Sequence, residues 1–160
     1  MLRNSDIINN ALAFAVAAHG SQKRKYTGVS YLEHLKNVAE IVNDWTQDDE
    51  VVAAALLHDV LEDTDKTFLD IKVYFGERVA NLVLELTDVY TKSAFPNLNR
   101  TERKAREAAR LGHVSPEAKM IKIADLADNT ASIVKHDPKF AETYLVEKAE
   151  VLRAMRVGNV

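Results

Sequence analysis

The chain has 160 residues, 47% hydrophobic and 28% charged, with five Gly, three Pro and no Cys. That length suits one domain with a real core, expected over 1–160, and the composition is that of an ordinary globular protein. The lack of cysteine excludes disulfides and thiolate metal sites, the net charge of −3 argues against a general nucleic-acid binder, and no apolar run reaches membrane-spanning length.

Ser5 can cap a first helix to about His19, with Ile8, Leu12, Ala15 and Val16 on one face. Its run "ALAFAVAA" (11–18) could pass for a signal-peptide core. Asp6, the amphipathic lead-in and a basic region of only Arg3 weigh against that, and the expected location is the cytoplasm. "GSQKRKYTGVS" (20–30) is a polar, basic loop with two glycines. A second helix is expected from about Tyr31 to Trp45. A third starts near Asp48, whose side chain can cap it, and continues into "ALLHDVLEDTD" (55–65). Thr67 caps a short helix that Gly76 ends. The next covers roughly 77–91, and "SAFPNLN" (93–99) is a loop. A charged helix follows over about 100–111. Ser115-Pro116-Glu117, a cap followed by Pro at the first helical position, starts a helix to about Lys135. Asp137-Pro138 repeats the device for a last helix to about Val157. The periodicity is helical throughout and predicts an all-α fold.

The third helix raises a chemical question. The seven apolar residues "VVAAALL" (51–57) run straight into a histidine and a group of carboxylates. On a helical wheel with His58 at 0°, Glu62 falls at about 40°, Asp59 at about 100° and Asp63 at about 140°. Val60 and Leu61 take the other side, and one turn upstream the same arc holds Val51, Val52 and Ala55. Carboxylates on such a floor repel one another and lose hydration, and a divalent cation relieves both. Histidine nitrogen with carboxylate oxygen suits Mn²⁺, Fe²⁺, Zn²⁺ or, less well, Mg²⁺. Adjacent His and Asp cannot complete a site alone.

Two other segments offer partners. His34 lies on the buried face marked by Val38, Ile41 and Val42. In "AKMIKIADLADNTASIV" (118–134), Lys122, Asp125, Asp128, Asn129 and Ser132 form a polar stripe on a helix whose other faces are largely apolar.

"HLKNVAEI", "AAALLHDVLEDTDKT", "FGERVANLVLELTD" and "IKIADLADN" stand in the order and approximate spacing of the HD-superfamily hydrolase domain of RelA/SpoT-type proteins. From about Ala13 to Met155 the chain resembles the small stand-alone alarmone hydrolases of that family, which act on (p)ppGpp. The resemblance implies a helical HD-domain bundle. It implies a divalent metal, Mn²⁺ in the family, on His34, His58, Asp59 and Asp125. It gives Glu62 and Asp63 the role of orienting and deprotonating the attacking water. Thr27, Tyr31, Asn129, Ser132 and Tyr144 match positions around the nucleotide, and Arg24 and Lys25 are cations for its phosphates or base. The implied partner is a small nucleotide, with no nucleic acid and no membrane. The departure that matters is Lys25-Tyr26, where the long relatives carry Arg-Lys ahead of a glycine. It keeps open a phosphohydrolase of another nucleotide, such as NADPH, a dNTP or a 3′-phosphorylated nucleotide. A non-enzymatic nucleotide-binding module is the third class, and it would be favoured by loss of a metal ligand or of the Glu-Asp pair. On the charged helix, i,i+4 pairs such as Arg103–Glu107 suggest a solvated face, with Arg103 and Lys104 as possible phosphate contacts.

Overall fold

Seven consecutive fully buried residues organise the fold. Val51 to Leu57 are all 1% exposed or less, so their helix is apolar all round and must sit inside other helices. At about 1.5–3 kcal/mol for each large side chain fully buried, this one segment is a major source of stability. The structure, a computed structural model, describes residues 1–157. The central helix is α3 (Asp49–Leu57). Around it pack α1 (Asp6–His19), α2 (Leu32–Trp45), α6 (Glu77–Leu86) and α8 (Pro116–His136). The short α4 (Val60–Asp63) leads into α5 (Phe68–Phe75), which packs on α6. A second apolar cluster, built from Ala108, Leu111, Leu126, Val151 and Met155, joins α7 (Arg100–Leu111) and α9 (Pro138–Val157) to α8. Among the described residues the only extended pairing is an isolated bridge between Lys23 and Ser30. The fold is all-α, and no helix in it is long and apolar enough to cross a membrane.

Local chemistry explains most helix starts. Ser5 accepts from the Ile8 N–H, Asp48 from Glu50, Ser115 from Ala118 and Asp137 from Phe140. Thr67 and Asp70 form a reciprocal capping box, and so do Asn99 and Glu102. Gly76, at φ +91°, turns the chain between α5 and α6.

Four expectations need correction. The buried stripe of α1 is Ile8, Ala11, Ala15 and His19, and Val16 faces solvent. Helix α6 stops at Leu86 rather than near residue 91. Arg110 donates to the carbonyls of Glu85 and Thr87, and the Glu107 carboxylate accepts from the N–H groups of Val89 and Tyr90. Those backbone groups are therefore taken by α7, whose Glu107 is buried rather than solvated. The fourth correction bears on the site. The helix entering "LLHDVLED" does not run through; it breaks at His58 and Asp59 and restarts as α4.

Candidate metal centre and active site

The break falls on the two residues with the strongest ligand character. The His58 ring donates through Nδ1 to the carbonyl of Ala55 at 2.6 Å. Asp59 then sits at φ −101°, ψ 2°, the bridge region between helix and strand. In a continuous helix the Asp59 side chain would point about 100° away from His58. With the break, its Oδ2 lies 3.1 Å from His58 Nε2.

Helices α2 and α8 bring two more groups to the same point. His34 Nε2 lies 3.0 Å from Asp125 Oδ1 and 3.8 Å from Asp59 Oδ2. His58 Nε2 is 3.2 Å from Asp125 Oδ1. One donor atom from each of His34, His58, Asp59 and Asp125 lies within 4.8 Å of the others. Each ring is anchored by its outer nitrogen. His34 Nδ1 reaches Asp128 at 2.7 Å, as His58 Nδ1 reaches Ala55. Both Nε2 atoms therefore face the two carboxylates with a lone pair unless a proton covers it. Burial disfavours charge on His34, but its bonds with Asp125 and Asp128 outweigh that and raise its pKa. Burial is likewise outweighed at His58 by Asp59 and Asp125. Asp59 is held below the usual carboxylate range by His58 against the opposing effect of burial, and Asp125 by Lys122. The cluster calls for positive charge at its centre. Two imidazole nitrogens and two carboxylate oxygens are a donor set that fits a divalent metal ion.

The surroundings orient this set. The Tyr31 hydroxyl donates to Asp59 Oδ2 at 2.6 Å, and burial and Asp59 raise its pKa, so it stays protonated. Lys122 Nζ and Asn129 Nδ2 hold the two oxygens of Asp125, each at 3.1 Å. Asp128 also binds Arg24 and Asn37.

Glu62 and Asp63 line the same hollow, which holds about 210 Å³ and is also bounded by Tyr31, Asp88, Lys122 and Asn129. Glu62 accepts from the Asp88 N–H at 2.6 Å. Burial and then the Asp88 charge push its carboxyl up to about 7. Asp63 is raised by burial and by Asp59, and accepts from Gln22.

A second hollow of about 270 Å³ adjoins the first through Tyr31 and Asn129. Arg24, Lys25, Ser132 and Tyr144 line it, together with Tyr26, Ile133 and Phe140. Thr27 is not among the described residues lining either hollow. Its hydroxyl accepts from Val29 N–H within the turn at Gly28, whose φ is +70°, and that turn carries it to the surface. Arg24 lines the hollow, but its guanidinium is engaged by Asp128 at 3.0 Å. Arg103 donates to the carbonyl of Leu98. Asp128, Lys122 and Asp88 are site residues to which sequence reasoning assigned no role. The signal for Asp128 was its i+3 spacing from Asp125, which puts both on one helix face.

Comparison with known proteins gives the same picture over nearly the whole chain. Residues 11–145 match the HD domain family. The guanosine-3′,5′-bis(diphosphate) 3′-pyrophosphohydrolase MESH1 of Xenopus tropicalis is 33% identical, over 99% of this chain and 90% of that protein. The Homo sapiens MESH1 is 34% identical, over 93% of this chain and 84% of its own length. The solved structure of a metazoan ortholog of SpoT that hydrolyzes ppGpp superimposes with a TM-score of 0.83 at 33% identity, covering 98% of this chain and 89% of that one. The chain belongs to the HD domain family, among proteins of the MESH1 type, and four of its side chains converge on one point that could hold a metal ion.

Proposed function

We propose that this protein hydrolyses guanosine 3′,5′-bis(diphosphate) and its 5′-triphosphate analogue to GDP or GTP and pyrophosphate. The cation is Mn²⁺, held by His34, His58, Asp59 and Asp125. The reading treats 1–160 as one domain, of which residues 158–160 lie outside the described residues, and it locates the protein in the cytoplasm with its nucleotide substrate. One observation carries it: two histidine Nε2 atoms and two carboxylates converge within 4.8 Å, beside a glutamate poised near neutrality. Likeness to named ppGpp hydrolases along almost the full chain supports the substrate.

When bound, the cation supplies Lewis acidity, which lowers the pKa of water and polarises a phosphoryl oxygen. Glu62 accepts a proton from the attacking water, with Asp63 orienting it; a pKa near 7 suits a general base at neutral pH. The water oxygen forms a bond to the phosphorus on the ribose 3′ oxygen, and the bond between that phosphorus and the 3′ oxygen breaks. The proton held by Glu62 returns to the departing 3′ oxygen, so nucleoside and pyrophosphate leave with atoms balanced. Asn129 and Tyr31 lie where the two hollows meet and keep Asp125 and Asp59 in place. Ser132, Tyr144 and the stem of Lys25 form the wall for the ribose and base, with Arg24 behind them.

The test is turnover by purified protein with Mn²⁺ against ppGpp, pppGpp, NADPH and dNTPs. Pyrophosphate released from ppGpp, and lost by at least 10³-fold in Asp59→Ala, is the expected result for removal of a metal ligand. Phosphate release from NADPH alone would sink the substrate reading, and turnover of nothing in the presence of bound metal would favour a binding module.

A further inference from the structure

A third and smaller hollow borders the catalytic one. Asp88 and Lys122 line both it and the catalytic hollow, as Tyr31 and Asn129 line both the catalytic and the nucleoside hollow. The third holds about 40 Å³, on the scale of a single tetrahedral oxyanion and far below that of a nucleoside. Three lysines from three helices converge on it: Lys104 of α7, Lys122 of α8 and Lys148 of α9. Three carboxylates also face it, and two are committed elsewhere. Glu107 accepts from Val89, Tyr90 and Arg110. Glu147 is held by both donor groups of the Arg100 fork, at 3.0 and 3.1 Å. Asp88 lies on the border with the catalytic hollow. Lys122 already serves Asp125. Neither Lys104 nor Lys148 has a carboxylate partner within ion-pair distance among the described residues. The Lys148 ammonium rests over the ring of Tyr144, 5.2 Å from its centroid, and Tyr144 is a wall of the nucleoside hollow.

We propose that Lys148, with Lys104 and Lys122, forms a subsite for the distal phosphate of the substrate's 3′-diphosphate. The assignment deepens the pyrophosphohydrolase reading and rests on it. With the nucleoside in its own hollow and the attacked phosphorus in the catalytic one, the third hollow, which shares Asp88 and Lys122 with the catalytic one, is the adjoining space for the phosphate beyond that phosphorus. An oxyanion there would face two uncommitted lysines, Lys104 and Lys148, against one uncommitted carboxylate, with Lys122 beside them on Asp125. Burial and the repulsion of Lys122 and Lys104 push the Lys148 ammonium down to about 8, and Glu147 and Asp88 offset this only in part.

The proposal is tested by calorimetric titration of inorganic pyrophosphate and orthophosphate into the Mn²⁺-loaded protein, as wild type, Lys148→Met and Lys148→Arg. Methionine keeps the stem and removes the charge. Loss of one charge-assisted phosphate contact should weaken pyrophosphate binding about tenfold in Lys148→Met. Orthophosphate, with one phosphate that the cation would hold, should lose less affinity in Lys148→Met than pyrophosphate does, and Lys148→Arg should retain pyrophosphate affinity. Lys148→Met should melt no lower than wild type, since it relieves repulsion, which separates loss of a ligand contact from loss of structure. Unchanged pyrophosphate affinity in Lys148→Met would overturn the subsite, as would an equal loss for pyrophosphate and orthophosphate. Turnover of ppGpp by the wild type is measured in parallel. Its absence, with the selective pyrophosphate loss intact, would sink the substrate reading and leave the oxyanion site standing.

Discussion

Glu62 and Asp59 are three residues apart and titrate in opposite directions, because burial and the Asp88 charge raise Glu62 whereas His58 outweighs burial at Asp59. A base raised to about 7 is protonated below that pH and competent above it. kcat/KM should therefore rise with pH through about 7 and level off, and Glu62→Gln should remove the rise together with most of the activity. A flat profile in the wild type from pH 5.5 to 8.5 would exclude Glu62 as the proton acceptor. Asp128 acts at one remove, through His34. Replacing the anchor of a ligating histidine costs about 10–100-fold in metal affinity, so Asp128→Asn should weaken Mn²⁺ binding by that order with the helical circular dichroism unchanged. An unaltered affinity would make Asp128 a partner of Arg24 only.

Elements differ in how local their determinants are. Caps at Ser5, Asp48, Thr67, Ser115 and Asp137 act within three residues of themselves, so those helix starts are legible without any neighbour. The end of α6 is not, because the groups that stop it, Glu107 and Arg110, lie on α7 more than fifteen residues downstream. The break at His58–Asp59 was hidden for a related reason. An apolar run continuing into Val60 and Leu61 reads as one helix, and only the ring of His58 on the Ala55 carbonyl marks the departure. At the junction of α7 and α9 the helices meet so closely that a Cβ on Gly112 would lie 2.8 Å from the carbonyl oxygen of Ala154. Gly→Ala gains about 0.4–1 kcal/mol by restricting the unfolded chain. Overpacking against backbone costs about 1–3 kcal/mol and should win. Gly112→Ala is thus expected to lower stability by about 1–2 kcal/mol in urea denaturation. A stabilised variant would show that α9 can shift outward freely.

At the scale of the whole molecule, the candidate ligand set joins distant parts of the chain. His34 is on α2, His58 and Asp59 close α3, and Asp125 is on α8, so a bound cation would cross-link three helices of the bundle. A ligand at a hundredfold excess over its Kd adds about 2.7 kcal/mol of stability. For a chain of this size that is about 5–10 °C in Tm. Chelation should lower Tm by that amount in the wild type and leave Asp125→Asn unmoved; equal Tm with and without Mn²⁺ would mean that the four groups do not hold it. The helical class, most helix starts, the buried α3 and the four candidate ligands could be read from residue order alone. Hydrophobic periodicity and capping act over a few residues, and the HD-type motifs preserve the spacing of their ligands. What only the tertiary structure decided is how those ligands are aimed and what lies beside them. The turn that swings Asp59 onto His58 is made between neighbours, but the anchoring of His34 by Asp128 across α2 and α8 and the meeting of Lys104, Lys122 and Lys148 depend on contacts between residues far apart in the chain. Those contacts are set by packing distance and direction, and a linear pattern does not encode them.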